Sequence, residues 1–342
     1  MSLQKKDVPS PQAVLMRMAR GFWAAKALQV VAELGIANLV AQESKSAEEL
    51  SKVLGVDSDA LYRLLRALAS EGIFKEGRDS RFENTPFSEA IRDDVPGSVR
   101  DYVINAPHDG SMLAWMKFMD VVKTGKASFE DVNGCDDYEY YRRHPDIGER
   151  FNKQMTAMSS QITSALVKSY DFSQFKTLID VGGGQGIVLA SILGKNPQMH
   201  GCLYEQSSVI EGAKTFLETR GVINRCDLIS GDFLESIPKG YDAYLLKHVL
   251  QDREDEKALT FLKNCRASIP KHGKLLIIEA VLSRDNAPHS AKWSDLHMMV
   301  THQGGRQRTK HEFDNLLRKS GFELKQVIAP PIPDAIVEAV PI

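Results

Sequence analysis

Cysteine is scarce in this 342-residue chain: four residues, at positions 135, 202, 226 and 265, with no CxxC or other metal-ligand spacing among them. So few thiols cannot staple a fold of this length, and they read as reduced and buried. Long apolar runs are missing too. The most apolar stretch, residues 275–282, is far too short to span a bilayer, and the opening MSLQKKDVPSPQ has two lysines with no apolar segment behind them. A cytoplasmic address without a membrane partner is expected. Charge of one sign is also lacking, since 43 basic residues stand against 45 acidic ones. The net charge of −2 provides none of the broad positive field that nucleic-acid backbones require, so no nucleic-acid partner is expected. What is present, 43% hydrophobic and 26% charged residues, suffices for a large core. Because single cores stop growing near about 250 residues, the chain reads as two domains.

From Ala13 to about Glu71 apolar residues recur at helical spacing, as in Ala27, Val30, Val31 and Leu34, and no strand-like alternation of useful length interrupts them. Ser46-Ala-Glu-Glu49 has capping-box spacing and predicts a short helix ending near Gly55. Asp57-Ser-Asp-Ala60 opens a second, with Leu61, Leu64, Leu65 and Leu68 on one stripe and Gly72 as its stop. A hairpin over residues 73–83, turned at Gly77 and Asp79, completes a winged helix. DNA binding does not follow: on the presumptive recognition helix Arg63 and Arg66 face Asp57, Asp59 and Glu71, the wrong balance for phosphate contact. A structural or dimerising role is expected. From Ser98 to about Tyr170 the chain stays helical and rich in Met, Trp and Tyr, most of which read as core.

The second half changes period. Short apolar runs at 177–181, 200–204, 242–246 and 274–280 alternate with helical stretches at 187–193 and 255–268, the pattern of a parallel sheet covered on both faces. Two β-rich runs around Pro330 and Pro331 predict an antiparallel hairpin closing the sheet. Asp180-Val-Gly-Gly-Gly-Gln-Gly186 follows the first strand and opens its helix, so backbone can approach a ligand where a side chain at Gly182, Gly184 or Gly186 would block it. The spacing is GxGxG with an acid two positions ahead, not the GxGxxG of dinucleotide enzymes. An acid at 180 suits a cation and repels a pyrophosphate, which points to S-adenosylmethionine (SAM), with its sulfonium and amino-acid end. Glu205, at the end of the second strand, can accept both ribose hydroxyls, and Asp232, in Ser-Gly-Asp-Phe233 after the next strand, is placed to accept from the adenine amino group.

These segments resemble the SAM-dependent O-methyltransferases of the caffeic-acid and hydroxyindole small-molecule type, which belong to the class I methyltransferases. The likeness covers nearly the whole chain and rests on DVGGGQG, YEQSSVIEGA, SGDFLESIPKGYDAYLLKHVLQD, LLIIEAVL and DLHMMVTHQGGRQRTKHEF, together with the winged helix that serves dimerisation in this family. It implies an α/β fold: a winged-helix dimerisation domain at 1–98, a helical segment at 99–170 contributing to the substrate pocket, and a Rossmann-like methyltransferase domain at 171–342, in a homodimer. By carry-over Gly182, Gly184, Glu205, Asp232, Phe233 and Lys247, with Asp180, line the cofactor. Trp115, Tyr141, Ile147, Phe151, Met155, Met158, His302 and Met298 or Met299 shape a pocket for a small aromatic substrate.

Departures from the family pattern bear on the chemistry. Where the family usually reads HDW this chain has Gln251-Asp252-Arg253, so the histidine that removes the phenolic proton is replaced by an amide that cannot titrate. Of two family carboxylates, the one in the segment typically reading GGRERT is here Gln307, while the other survives as Glu279. His248 and His302 are candidate replacement bases, with a structural role the better reading for His248. Methyl transfer to an already acidic phenol, of polyketide or quinone type, fits the missing base. A repurposed enzyme that keeps SAM as a structural ligand and catalyses a cyclisation or hydroxylation is the alternative, and a regulator using the winged helix lacks the basic surface it would need.

Overall fold

In this computed structural model the described residues are 10–342, the side chains at 160 and 161 excepted. They divide into two units, one running to Asp109 and including His144–Ala157, the other formed by Gly110–Arg143 and Met158–Ile342. The stretch 99–170 is therefore shared between them.

In the first unit local signals set the helix ends. The Ser46 hydroxyl accepts from the Glu49 amide and the Glu49 carboxylate takes the Ser46 amide, so the helix Ala47–Leu54 starts at the capping box. Asp57 caps Ser58–Ser70, which buries Leu61, Leu65 and Leu68. The strands β1 (Lys45–Ser46), β2 (Phe74–Glu76) and β3 (Arg81–Asn84) form an antiparallel sheet in the order β1-β3-β2, and the wing turns through Asp79 at a φ of +56°. β1 corrects the expectation that this front end holds no strand: the Arg81 guanidinium binds the Ser44 carbonyl and the Glu49 carboxylate across the chain, a pairing that periodicity cannot register. The helices Pro11–Ala19 and Gly21–Glu33 leave Leu15, Met16, Met18, Phe22 and Trp23 exposed, Trp23 at 66%. So many large apolar residues together mark an interaction face rather than scattered surface positions.

The second unit is built on β4 (Thr177–Val181), β5 (His200–Glu205), β6 (Cys226–Ser230), β7 (Ala243–Lys247), β8 (Lys274–Leu282), β9 (Arg308–Thr309), β10 (Phe322–Ile328) and β11 (Asp334–Pro341). The sheet order is β10-β11-β8-β7-β4-β5-β6, with β9 alongside the end of β8. Strands β4 to β8 pair in parallel and β10 and β11 form the antiparallel hairpin at the edge. Alternate residues feed two cores: Tyr204, Tyr244 and Ile277 pack with Phe261 and Phe313 on one face, Leu203, Leu245 and Leu276 with Leu189 and Leu217 on the other. The four cysteines are buried. Because β5 lies on one side of β4 and β7 on the other, the sheet switches direction at β4, and open α/β sheets bind ligands at the carboxyl ends of the strands at such a point. Among the described residues no helix is long and apolar enough to cross a membrane.

Candidate active site

Between β4 and the helix Ile187–Lys195 the chain passes through Gly182, Gly184 and Gly186, at φ of +72°, +57° and +75°, a region that side chains disfavour. The Gly182 N–H donates to the Tyr204 carbonyl at 2.8 Å, tying the loop to β5. A Cβ on Gly183 would lie 2.5 Å from the Asp180 carboxylate, whereas one on Gly184 would meet nothing within 4 Å. The loop is thus packed on one side and open on the other. Asp180 forms the packed side: it is 1% exposed, its Oδ1 has no hydrogen-bond partner among the described residues, and burial pushes its pKa up to about 7 against the pull of Lys247.

Glu205 stands at the open side. Its Oε2 accepts from the Gly184 N–H at 3.1 Å and its Oε1 from the Gln206 N–H at 2.8 Å, which leaves lone pairs on both oxygens for further donors. Asp232 is exposed and its Oδ1 accepts from the Leu234 N–H at 2.7 Å. Phe233 is buried against Phe261, with the Arg253 guanidinium 5.0 Å over its ring. Lys247, at the end of β7, donates to Ser159 Oγ at 3.1 Å; burial holds its pKa below the usual value although Asp334, Asp180 and Glu279 oppose the shift. His248 follows at a φ of +53°, its Nε2 2.9 Å from the Asp334 carboxylate on β11. Burial works to raise the Asp334 pKa, yet the hydrogen bond and charge of His248, with Lys247, hold it below the usual range.

The turn carrying residues 249–253 is held from two sides. Glu279 Oε1 accepts the N–H groups of Val249, Leu250 and Gln251 at 3.1, 2.7 and 3.1 Å. Glu279 is fully buried and its pKa is pushed up to about 7 by that burial, with Arg308 and the amides opposing. Arg308, 1% exposed, donates to the Leu250 and Arg253 carbonyls at 2.8 and 3.0 Å and to Asp255 at 2.8 Å. On this turn Gln251 Oε1 accepts from Gln307 Nε2 at 2.8 Å. The two amides at departing positions therefore meet each other. His302 lies beside the turn, its Nε2 3.5 Å from Asp137 and 3.9 Å from Asp252, in a crevice of about 360 Å³ that Tyr138 and Arg253 also line. Burial lifts the Asp137 pKa to about 6 in spite of His302.

Aromatic and methionine side chains are placed less uniformly. Trp115 Nε1 lies 3.3 Å from His297 Nδ1, the two ring planes within 8° of parallel. Burial pushes the His297 pKa down to about 4, with His302 adding to the shift, so a neutral imidazole accepts the indole N–H. On the same helix as His297, Ser290–Thr301, Met298 is buried and Met299 half-buried. Tyr141 is half-buried with its ring against Tyr140. These residues and Met158 belong to the second unit, whereas Ile147, Phe151 and Met155, all half-buried, belong to the first.

Residues 115–323 match the model of the O-methyltransferase domain, and residues 16–92 that of the O-methyltransferase dimerisation domain. The chain belongs to the O-methyltransferase family. Phenazine O-methyltransferase PhzM of Lysobacter antibioticus is 38% identical to it over 330 residues, 96% of each chain. The mitomycin 7-O-methyltransferase MmcR has a similar structure, with a TM-score of 0.91 at 32% identity over 97% of this chain and 98% of its own. CalO1, a methyltransferase in calicheamicin biosynthesis solved in its SAH-bound form, gives a TM-score of 0.86 at 28% identity over 98% and 100% of the two chains. This O-methyltransferase uses SAM, and its residues fit that cofactor. Space is open over Gly184, and both Glu205 oxygens keep lone pairs for hydroxyl donors.

Several residues of the methyltransferase site escape a reading of its sequence. Arg308 and His297 stand inside the motifs GGRQRT and DLHMM, so their presence is visible while their burial and partners are not. Asp334 lies 86 residues from His248, and Asp137 is still more remote from His302; no local spacing announces either pair.

Proposed function

We propose that this methyltransferase acts on the hydroxyl of a small aromatic secondary metabolite, a polyketide, quinone or phenazine phenol acidic enough to ionise unaided. One observation carries the reading: at Gln251, where a base would have to stand, a carboxamide is hydrogen-bonded to a second carboxamide, and neither can take up a proton. The phenazine class is supported by the 38% identical relative. When bound, SAM supplies an electrophilic methyl group on a sulfonium. Gly182, Gly184, Glu205 and Asp232 hold it in this reading, with Asp180, Lys247 and Phe233 behind them. Trp115, Tyr141, Met158, Met298 and Met299 of the second unit border the aromatic ring system in this reading, as does His302.

The phenol's proton leaves to solvent rather than to a side chain. Holding donor and acceptor in line supplies roughly 7 to 11 kcal/mol of barrier reduction, whereas proton removal by a base is worth about 10²- to 10⁴-fold, so an acidic substrate loses little without one. That the relatives named above are methyltransferases favours transfer over cyclisation or hydroxylation. The reading includes the division into 1–98, 99–170 and 171–342 and a cytoplasmic homodimer. Incubation with labelled SAM and a panel of phenols, followed by mass spectrometry, tests it: acidic phenols should gain one methylene. Failure to label any member of the panel by a protein that binds SAH normally would refute it.

A further inference from the structure

A primary amide offers one acceptor and two donors, and what it presents to a ligand depends on which end is already engaged. At Gln251 the oxygen is engaged, because Gln307 Nε2 donates to it at 2.8 Å. Gln307 is 4% exposed, its backbone N–H is held by Asp295 Oδ1 at 2.7 Å, and its Nε2 also lies 3.5 Å from Ser294 Oγ. The Gln251 backbone is fixed as well: its N–H reaches Glu279 at 3.1 Å and its carbonyl accepts from the Arg306 N–H at 2.8 Å. The half-buried side chain of Gln251 is left with Nε2 and two hydrogens, which no described residue accepts.

We infer that Gln307 sets Gln251 as a hydrogen-bond donor to the reacting oxygen, so that the site takes aromatic substrates as phenolates in preference to neutral phenols. The inference rests on the methyl-transfer reading and adds to it a selection on the substrate's charge. A neutral phenol accepts that N–H through an uncharged oxygen, whereas a phenolate accepts with its charge, and a charge-assisted bond is about twice as strong as a neutral one. An attacking phenolate loses charge on the way to the transition state, so a donor on it stabilises the bound ground state at least as much. Gln251 therefore acts on substrate binding more than on the rate of the bound complex. Gln307, which need not touch the substrate, is a positioning residue.

The test titrates 4-nitro-1-naphthol, whose ionised form has its own absorbance, in the complex of the full chain with SAH. It reads the pKa of the bound naphthol without turnover, so it can fail while the phenol panel succeeds, or the reverse. The bound value should lie about one unit below that of the free naphthol, a tenfold preference for the phenolate. Gln307→Glu provides a carboxylate that can only accept, so the Gln251 amide turns round and the bound value rises above the free one. Gln307→Leu, which adds no charge, releases the amide and brings the bound value back to the free one. In turnover, Gln251→Met should raise KM for the phenolate about tenfold with kcat unchanged or higher, and SAH affinity should match the parent's in every variant. A bound pKa equal to the free one in the parent, or lowered equally in the parent and both Gln307 variants, overturns the inference.

Discussion

Replacing Gln251 by histidine puts a titratable group on a turn that Glu279 and Arg308 already hold. The parent rate should rise with pH along the substrate's own phenol pKa, and Gln251→His, whose ring N–H can take over the amide's donation to a phenolate, should leave activity on acidic phenols unchanged or higher while extending it to less acidic ones, as kcat/KM across a phenol series will measure. If Gln251→His instead costs about 3 to 4 kcal/mol, as for a lost positioned donor, and neither variant yields methylated product, a non-methylating reaction is at work. Abolition of transfer by His248→Ala or His302→Ala alone would reveal a replacement base. At the cofactor loop, Glu205→Ala should weaken SAH binding by roughly 1 to 3 kcal/mol, measured by calorimetry, because ribose hydroxyls would lose their acceptor. Asp180 and Glu279 also make stability depend on pH. Burial lifts their pKa values from 3.8 and 4.5 to about 7 in each case, so between those limits the folded state binds more protons than the unfolded one. Stability should fall as pH rises from about 4 to about 7, and Asp180→Asn should flatten the slope of thermal midpoint against pH. The positions of Glu205 and the glycines were legible because a loop and two adjacent strand ends set them. The partner of His248 was not, since only the β8–β11 pairing brings Asp334 near.

Among the elements, the turn from β7 to the helix Asp255–Ser268 depends on β9, a strand of two residues. Arg308→Met should destabilise the protein by about 1 to 3 kcal/mol for each of the Leu250 and Arg253 carbonyls left without a donor. Chemical denaturation will measure the loss. The Arg308–Asp255 pair adds little to this, because Asp255 is 57% exposed and solvent screens it. Element boundaries were readable wherever a cap or an apolar run set them, as at Ser46 and Asp57 and over 177–181 and 255–268. β1 and β9 were not, because two residues carry no period and each exists only through its neighbour strand.

At the scale of the molecule, the match to the dimerisation domain and the exposed face of Leu15, Met16, Met18, Phe22 and Trp23 agree on a homodimer. Light scattering at micromolar concentration should give twice the chain mass. Leu15→Glu with Trp23→Glu should shift it toward the monomer while leaving SAH affinity near the parent's, because both residues lie in the first unit and the glycine loop in the second. A monomeric parent would count against the dimer.

The α/β class, the strands at 177–181, 200–204, 242–246 and 274–280 in their order, the glycine loop with its acids, and the lack of a histidine at 251 are all legible in the linear chain. These follow from periodicity and from chemistry confined to single loops, which a linear pattern records. That Gln251 and Gln307 face each other at 2.8 Å, that Glu279 binds three backbone amides, and that Asp334 holds His248 is visible in the folded chain alone. Each of those depends on which strands lie side by side, and strand order is set by the burial of whole faces rather than by any local run of residues.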